Sequence, residues 1–174
     1  VSIMLACAQA MPALAFHLIG PTKDDCLRFG ELPNNVILHG YQARTGVVTL
    51  LKSMDVLLLP NQPSVIIRSG ADIGAHTSPL KLFEYMASGR PMIASDLPVF
   101  DSILTDKVNC LRVEARSAEA FVAAIRRVQA EPELGRWIAA NALEAFKQNY
   151  TWDHRVARIV AFLATHRIRL DESL

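Results

Sequence analysis

The sequence predicts an α/β domain: a mostly parallel sheet with helices on both faces, closed by a helical C-terminal part. Three observations carry that expectation. Five short apolar runs recur along the first two thirds of the chain, each the length of a strand buried on both faces. Helix-like stretches separate them, and repeated β–α alternation wraps a parallel sheet. From Ser117 onward only helical patterns remain. Right-handed crossovers would make the layer doubly wound and Rossmann-like.

Taken in order, the chain opens with no Asp, Glu, Lys or Arg between Val1 and Thr22. This is not read as a signal or a membrane span: no cationic segment precedes it, and Gln9, Pro12 and His17 interrupt the apolar run. The pattern predicts a buried helix from Ser2 to Met11, a break at Pro12, and a first strand over Ala15–Ile19. Further strands are expected at Asn35–His39, Val56–Leu59, Met92–Ser95 and Cys110–Val113. Helices are expected at 23–30, 45–54, 78–88 and 98–104. In the tail, Ser117 is a suitable N-cap, with Glu119 in the favourable first turn. The stripe Phe121, Val122, Ile125 and Val128 fits a buried face over Ala118–Ala130. Pro132 opens a second helix to about Asn149. Trp152 begins a third, ending near His166, whose Val156, Ile159, Val160 and Leu163 are expected to pack in the core.

Composition narrows the function. The 174 residues are 51% hydrophobic and 20% charged, which suits one folded domain over 1–174, its helical part being 117–166. Eighteen Lys and Arg against 17 Asp and Glu give no field that favours nucleic acid or an anionic membrane. Cys7, Cys26 and Cys110 form no paired spacing, so neither a disulfide framework nor a metal site is expected. That suits a reduced, cytoplasmic setting. A chain that opens mid-helix on Val is expected to be part of something longer.

Two neighbouring segments concentrate the polar chemistry. The irregular run from Pro60 to Thr77 starts at a strand's carboxyl end, where open α/β sheets bind ligands. The helix after it has Ser78 as N-cap, Pro79 in its first turn, Gly89 for the left-handed stop and Pro91 beyond. At 100° per residue, Leu80, Leu82, Phe83, Met86 and Ala87 share one stripe. Lys81, Glu84, Tyr85 and Ser88 share the other. Free N–H groups at such a helix start suit a phosphate, and Glu84 one turn on can accept from a diol such as a ribose. A solvated Lys81–Glu84 ion pair fits the same spacing.

The run from Ser78 to Asp96 resembles the signature of family 4 (group 1) glycosyltransferases. Phe16–Gly20, Val36–Gly40, Asp55–Pro60, Asp106–Leu111 and Tyr150–Trp152 are similar to that family's flanking pieces, in the same order. The resemblance implies the C-terminal, nucleotide-sugar-binding half of a GT-B fold. It also implies retaining hexosyl transfer to a glycan or lipid-linked acceptor, as in polysaccharide biosynthesis. No cofactor or metal is expected, and membrane association only through the rest of the protein. Of the family's two acids, the second falls on Glu84 and holds the ribose. The first falls on His76, which gives no fixed negative charge. Ser78, Leu80 and Lys81 join them as expected donor contacts. Tyr41, after the second strand, is expected either to approach the nucleobase or to pack. Asn61 is expected either to reach the donor or only to turn the chain.

No catalytic residue is assigned. The family's diphosphate-gripping loop and its acceptor domain would precede Val1, so the isolated chain is expected to be inactive. Relatives also send their last helix toward that other domain, which would leave an apolar patch here. Two alternatives are an enzyme like the GT-B nucleotide-sugar 2-epimerases, whose acid–base set is not found, and a non-catalytic α/β binding domain of receiver type. The second expects an acidic cluster where Gly20-Pro21-Thr22 stands.

Overall fold

The structure, a computed structural model, describes residues 1–64 and 80–165. His76, Ser78, Pro79 and most of the polar segment before them lie outside the described residues. In chain order the elements are α1 (Ser2–Ala10), β1 (Phe16–Ile19), α2 (Lys23–Leu27), β2 (Val36–Gly40), α3 (Arg44–Ser53) and β3 (Leu57–Leu59). Then follow α4 (Leu80–Ser88), β4 (Met92–Ser95), a 3-10 turn at Pro98–Phe100, β5 (Leu111–Val113), α5 (Ala118–Ala130), α6 (Pro132–Asn149) and α7 (Trp152–Thr165).

Every strand pairing is parallel, as short apolar strands joined by helices require. The expected layer is divided, however. β1 pairs with β2 in one sheet, and β3, β4 and β5 form another in that order. Both sheets contribute to one hydrophobic cluster with α1 and α5, through Phe16, Leu18, Ile93 and Leu111. A second cluster, with Leu82 and Met86 of α4 and Ala142 of α6, covers the opposite side of β4. Successive residues of β4 alternate between the two: Ile93 enters the first, Met92 and Ala94 the second, and none is more than 1% exposed. Helices therefore cover both faces.

Side chains fix the joints. The Asn35 amide donates to the carbonyls of Ala8, Met11 and Leu14 at 3.0, 3.1 and 2.7 Å, tying the end of α1 to the start of β2. Thr22 and Asp25 form a reciprocal capping box on α2, and the Ser117 hydroxyl accepts from Ala120 N–H on α5. Gly89 ends α4 at φ 69°, in the left-handed region that favours glycine.

Two expectations are corrected. The helix expected at 98–104 is only the turn Pro98–Phe100. The Arg112 guanidinium takes the Leu97 and Leu104 carbonyls, so the segment folds around a side chain instead of continuing its own ladder. Asp96 and Asp101 both meet that guanidinium at 2.6 Å. α7 buries none of its side chains, with Val156, Ile159 and Val160 at 55, 50 and 57% exposure, so it is not a core helix. Its stripe is amphipathic, but spacing says only that a face is apolar and not what covers it. The three cysteines are free and buried. Among the described residues, no helix is long and apolar enough to cross a membrane, and no cluster of His, Cys, Asp or Glu could hold a metal.

Candidate functional site

α4 is positioned by burial of one side. Leu82 and Met86 are fully enclosed, while Lys81 and Glu84 stand exposed on the opposite side. The outward face differs from expectation at two positions. Leu80, assigned to the apolar stripe, is 73% exposed because the first turn projects past the core. Tyr85, assigned outward, is half-buried against the α4–α6 cluster; that burial, helped by the Glu84 carboxylate, pushes its phenol pKa up. Nor do Lys81 and Glu84 pair, since no ammonium–carboxylate contact within 4.0 Å joins them. Both charges are left to face a ligand or water.

What they face is a groove of about 1640 Å³. Leu80, Lys81 and Glu84 form one wall, and the turn after β2 contributes Tyr41, a residue 91% exposed. Four of the seven expected donor contacts thus meet in one groove. Asn61 does not join them: its N–H donates to the Leu59 carbonyl at 2.9 Å, and it does not line the groove. His76 and Ser78 lie outside the described residues.

The groove also gathers residues that spacing did not single out. Arg44 and Lys52 of α3 and Arg155 and Arg158 of α7 line it, against the carboxylates of Asp55 and Glu84. With Lys81, cations outnumber acids five to two among the described residues that line it, so their summed charge is positive although the whole chain is nearly neutral. Trp152, 68% exposed, lines it too, with the Arg155 guanidinium 6.0 Å from its ring centroid. The spacing of Trp152, Arg155 and Arg158, one helical turn apart, was the available signal for this wall.

The turn bearing Tyr41 is built in an unusual way. β1 and β2 stay in register up to Leu18 and Leu38; then Ile19 pairs with Gly40, leaving His39 as an extra residue. His39 Nε2 lies 2.8 Å from His17 Nδ1. The two rings are within 16° of parallel with centroids 5.1 Å apart. That separation is what two imidazoles joined end to end by such a bond give, so the contact is an in-line hydrogen bond and not a face-to-face stack. The His39 carbonyl accepts from Gln42 Nε2 at 2.7 Å, and Gly40 takes φ 60°.

Comparison with known proteins agrees with the fold. Sucrose-phosphate synthase from Thermosynechococcus elongatus superposes with a TM-score of 0.73 at 18% identity, over 95% of this chain and 42% of that one. HepE from Anabaena, solved with UDP, gives 0.74 at 18% identity over 94% and 44%. The C-terminal domain of a group 1 family glycosyl transferase (LpcC) from Francisella tularensis gives 0.63 at 17% over 87% and 77%. The chain thus spans less than half the length of the first two. No curated protein matches it in sequence. The profile of the glycosyl transferase-like family matches residues 2–161, nearly the whole chain. The chain belongs to the glycosyl transferase-like family.

Proposed function

We propose that this chain is the donor-binding part of a family 4 (group 1) retaining glycosyltransferase, moving a hexose from a nucleotide sugar to a glycan or lipid-linked acceptor in polysaccharide biosynthesis. One observation carries the reading: the first turn of α4 and Glu84, one turn on, stand exposed in the same cation-rich groove. Helix-start N–H groups and a positive field suit a diphosphate, and a carboxylate one turn away suits a ribose diol. HepE, which shares this fold, has been solved with UDP and with UDP-glucose, which supports a nucleotide sugar as ligand.

In this reading the donor's bond from sugar to diphosphate breaks while charge builds on the leaving diphosphate. Preorganised cations stabilise that charge; Lys81 on α4 and Arg155 and Arg158 on α7 are placed along the groove for it. Glu84 fixes the ribose, Tyr41 receives the base and Leu80 packs beside the sugar–diphosphate. No metal is required by this arrangement. The acceptor domain and further cations are supplied by parts of the enzyme other than these 174 residues. Their need is supported by the open groove between β1 and β3, which a further parallel strand would suit, and by the exposed face of α7, which suits a contact with the other domain. The whole enzyme works on the cytoplasmic side, and the isolated chain binds donor without transferring it.

The test is a thermal-shift panel with uridine, guanosine and adenosine diphosphates. One of them raises the unfolding midpoint, and Glu84→Gln removes that rise. Binding that survives Glu84→Gln would falsify the assignment of the ribose site. A measurable transfer rate from the isolated 174 residues would refute its dependence on a second domain.

A further inference from the structure

We infer that the His17–His39 pair is a proton-operated latch that holds the Gly40–Tyr41–Gln42 turn in place on the groove wall, so that both imidazoles are positioning residues for the ligand's base. The inference rests on the nucleotide-binding reading for the ligand, but not for the latch. Three observations carry it. His39 is the extra residue of the bulge, so the regular ladder does not fix its place. Its imidazole is joined in line to His17 on the neighbouring strand, at 2.8 Å. Its carbonyl holds the Gln42 side chain on the far side of Tyr41. This side-chain bond thus joins the backbone bond from Gly20 N–H to the Gly40 carbonyl, 2.8 Å, in pinning the residues from which the turn departs.

The proton count decides when the latch holds. In the neutral pair, one ring donates N–H to a bare nitrogen of the other. A first added proton can enter at the donor ring's far nitrogen, leaving the bond intact and charge-assisted. A second must enter at the accepting nitrogen, so it breaks the bond and sets two cations against each other. The steps belong to the pair and are separated. Burial, then the His39 charge, holds His17 below the usual histidine range. Of the charged groups lining the same groove, α3 offers Arg44 and Lys52, α4 offers Lys81 and Glu84, α7 offers Arg155 and Arg158, and Asp55 precedes β3. Among these described residues cations outnumber acids, which opposes the second proton further. The latch is closed at neutral pH, stays closed through the first proton and opens only with the second.

The experiment compares the wild type with His39→Gln and His17→Ala. Gln keeps an amide N–H where Nε2 stood but takes up no proton in this range; Ala removes the bond. Side-chain nitrogen NMR follows the rings while amide-exchange protection is read at Gly20, whose N–H donates to the Gly40 carbonyl at 2.8 Å, from about pH 7.5 down to the acid in which both rings are charged. Wild-type protection falls about five- to tenfold, the worth of one net hydrogen bond, as the second ring charges. His39→Gln holds its protection across the range, and His17→Ala is low throughout. UDP affinity, measured by calorimetry, falls more steeply with acid in the wild type than in His39→Gln; the diphosphate's own titration is common to both and cancels. Equal protection profiles in all three proteins, or wild-type protection that persists once both rings are charged, overturn the latch. Protection that follows the pair while none of the three binds UDP upholds the latch and overturns the nucleotide reading.

Discussion

Arg112 holds together a stretch of chain that no regular element spans. Its guanidinium meets Asp96 and Asp101 and donates to the carbonyls of Leu97 and Leu104, at 3.1 and 3.3 Å. Its side chain is only 14% exposed, while the two carboxylates are 62 and 63% exposed. The solvated acids lose little if the partner is removed; the carbonyls lose more. Arg112→Ala is therefore expected to lower stability by about 2 kcal/mol in urea unfolding. Arg112→Lys should recover less than half of that, because an ammonium cannot fork to several acceptors. Nothing in the local spacing announced this contact, since the acids precede the arginine by 11 and 16 positions and only the fold joins them. The three cysteines are all buried, although Cys26 stands among Asp24, Asp25 and Arg28 in the sequence. Burial pushes the Cys7 thiol up to about 11 and the Cys110 thiol to about 12. Native protein at about pH 8 should thus give no fast reaction with a disulfide reagent and release all its thiols only on unfolding. The unfolded chain loses these protons first, so stability should decline as pH rises from about 9 toward 11.

At the scale of elements, helix boundaries were legible where a specific chemistry marks them. Gly89 is the clearest: a residue with φ 69° ends α4, and the Cβ of an alanine there would stand 3.6 Å from Leu143 without clashing. The cost of Gly89→Ala is therefore conformational, about 1 kcal/mol, and should appear as a lower unfolding midpoint with the groove intact. Strand positions were legible within one residue because buried parallel strands have few polar positions to blur them. What could not be read was the fate of an amphipathic face. α4 and α7 carry similar stripes, yet α4 encloses Leu82 and Met86 while α7 encloses nothing. Whether a stripe is covered depends on what lies opposite it, which is a property of the whole fold. Replacing Val156 and Val160 by Lys should accordingly change stability by less than about 0.5 kcal/mol and reduce binding of a hydrophobic dye. A loss of several times that would mean that α7 packs more tightly than its exposure indicates.

At the scale of the molecule, the divided sheet has a consequence that single amides report. In a parallel strand, successive N–H groups point to opposite edges. Phe16 N–H donates to the Asn35 carbonyl and Gly20 N–H to the Gly40 carbonyl, so the intervening His17 and Ile19 N–H groups point away from β2. Leu57 N–H donates to the Pro91 carbonyl, so that of Leu58 points away from β4. Both free edges look toward the groove, which Phe16, His17, Ile19, Leu57 and Leu58 all line. Among the described residues no strand pairs with either edge. Exchange should therefore alternate residue by residue: slow at Phe16, Leu18, Leu57 and Leu59, and fast at His17, Ile19 and Leu58. The amides of β4, paired on both sides and enclosed on both faces, should be the slowest of all. Local fraying would speed all residues of an edge strand together, whereas a free edge speeds every second one. Protection restored at His17, Ile19 and Leu58 in a longer form of the polypeptide would place an additional strand between the two sheets. Uniform protection in the 174-residue chain would instead mean that the two edges are already covered.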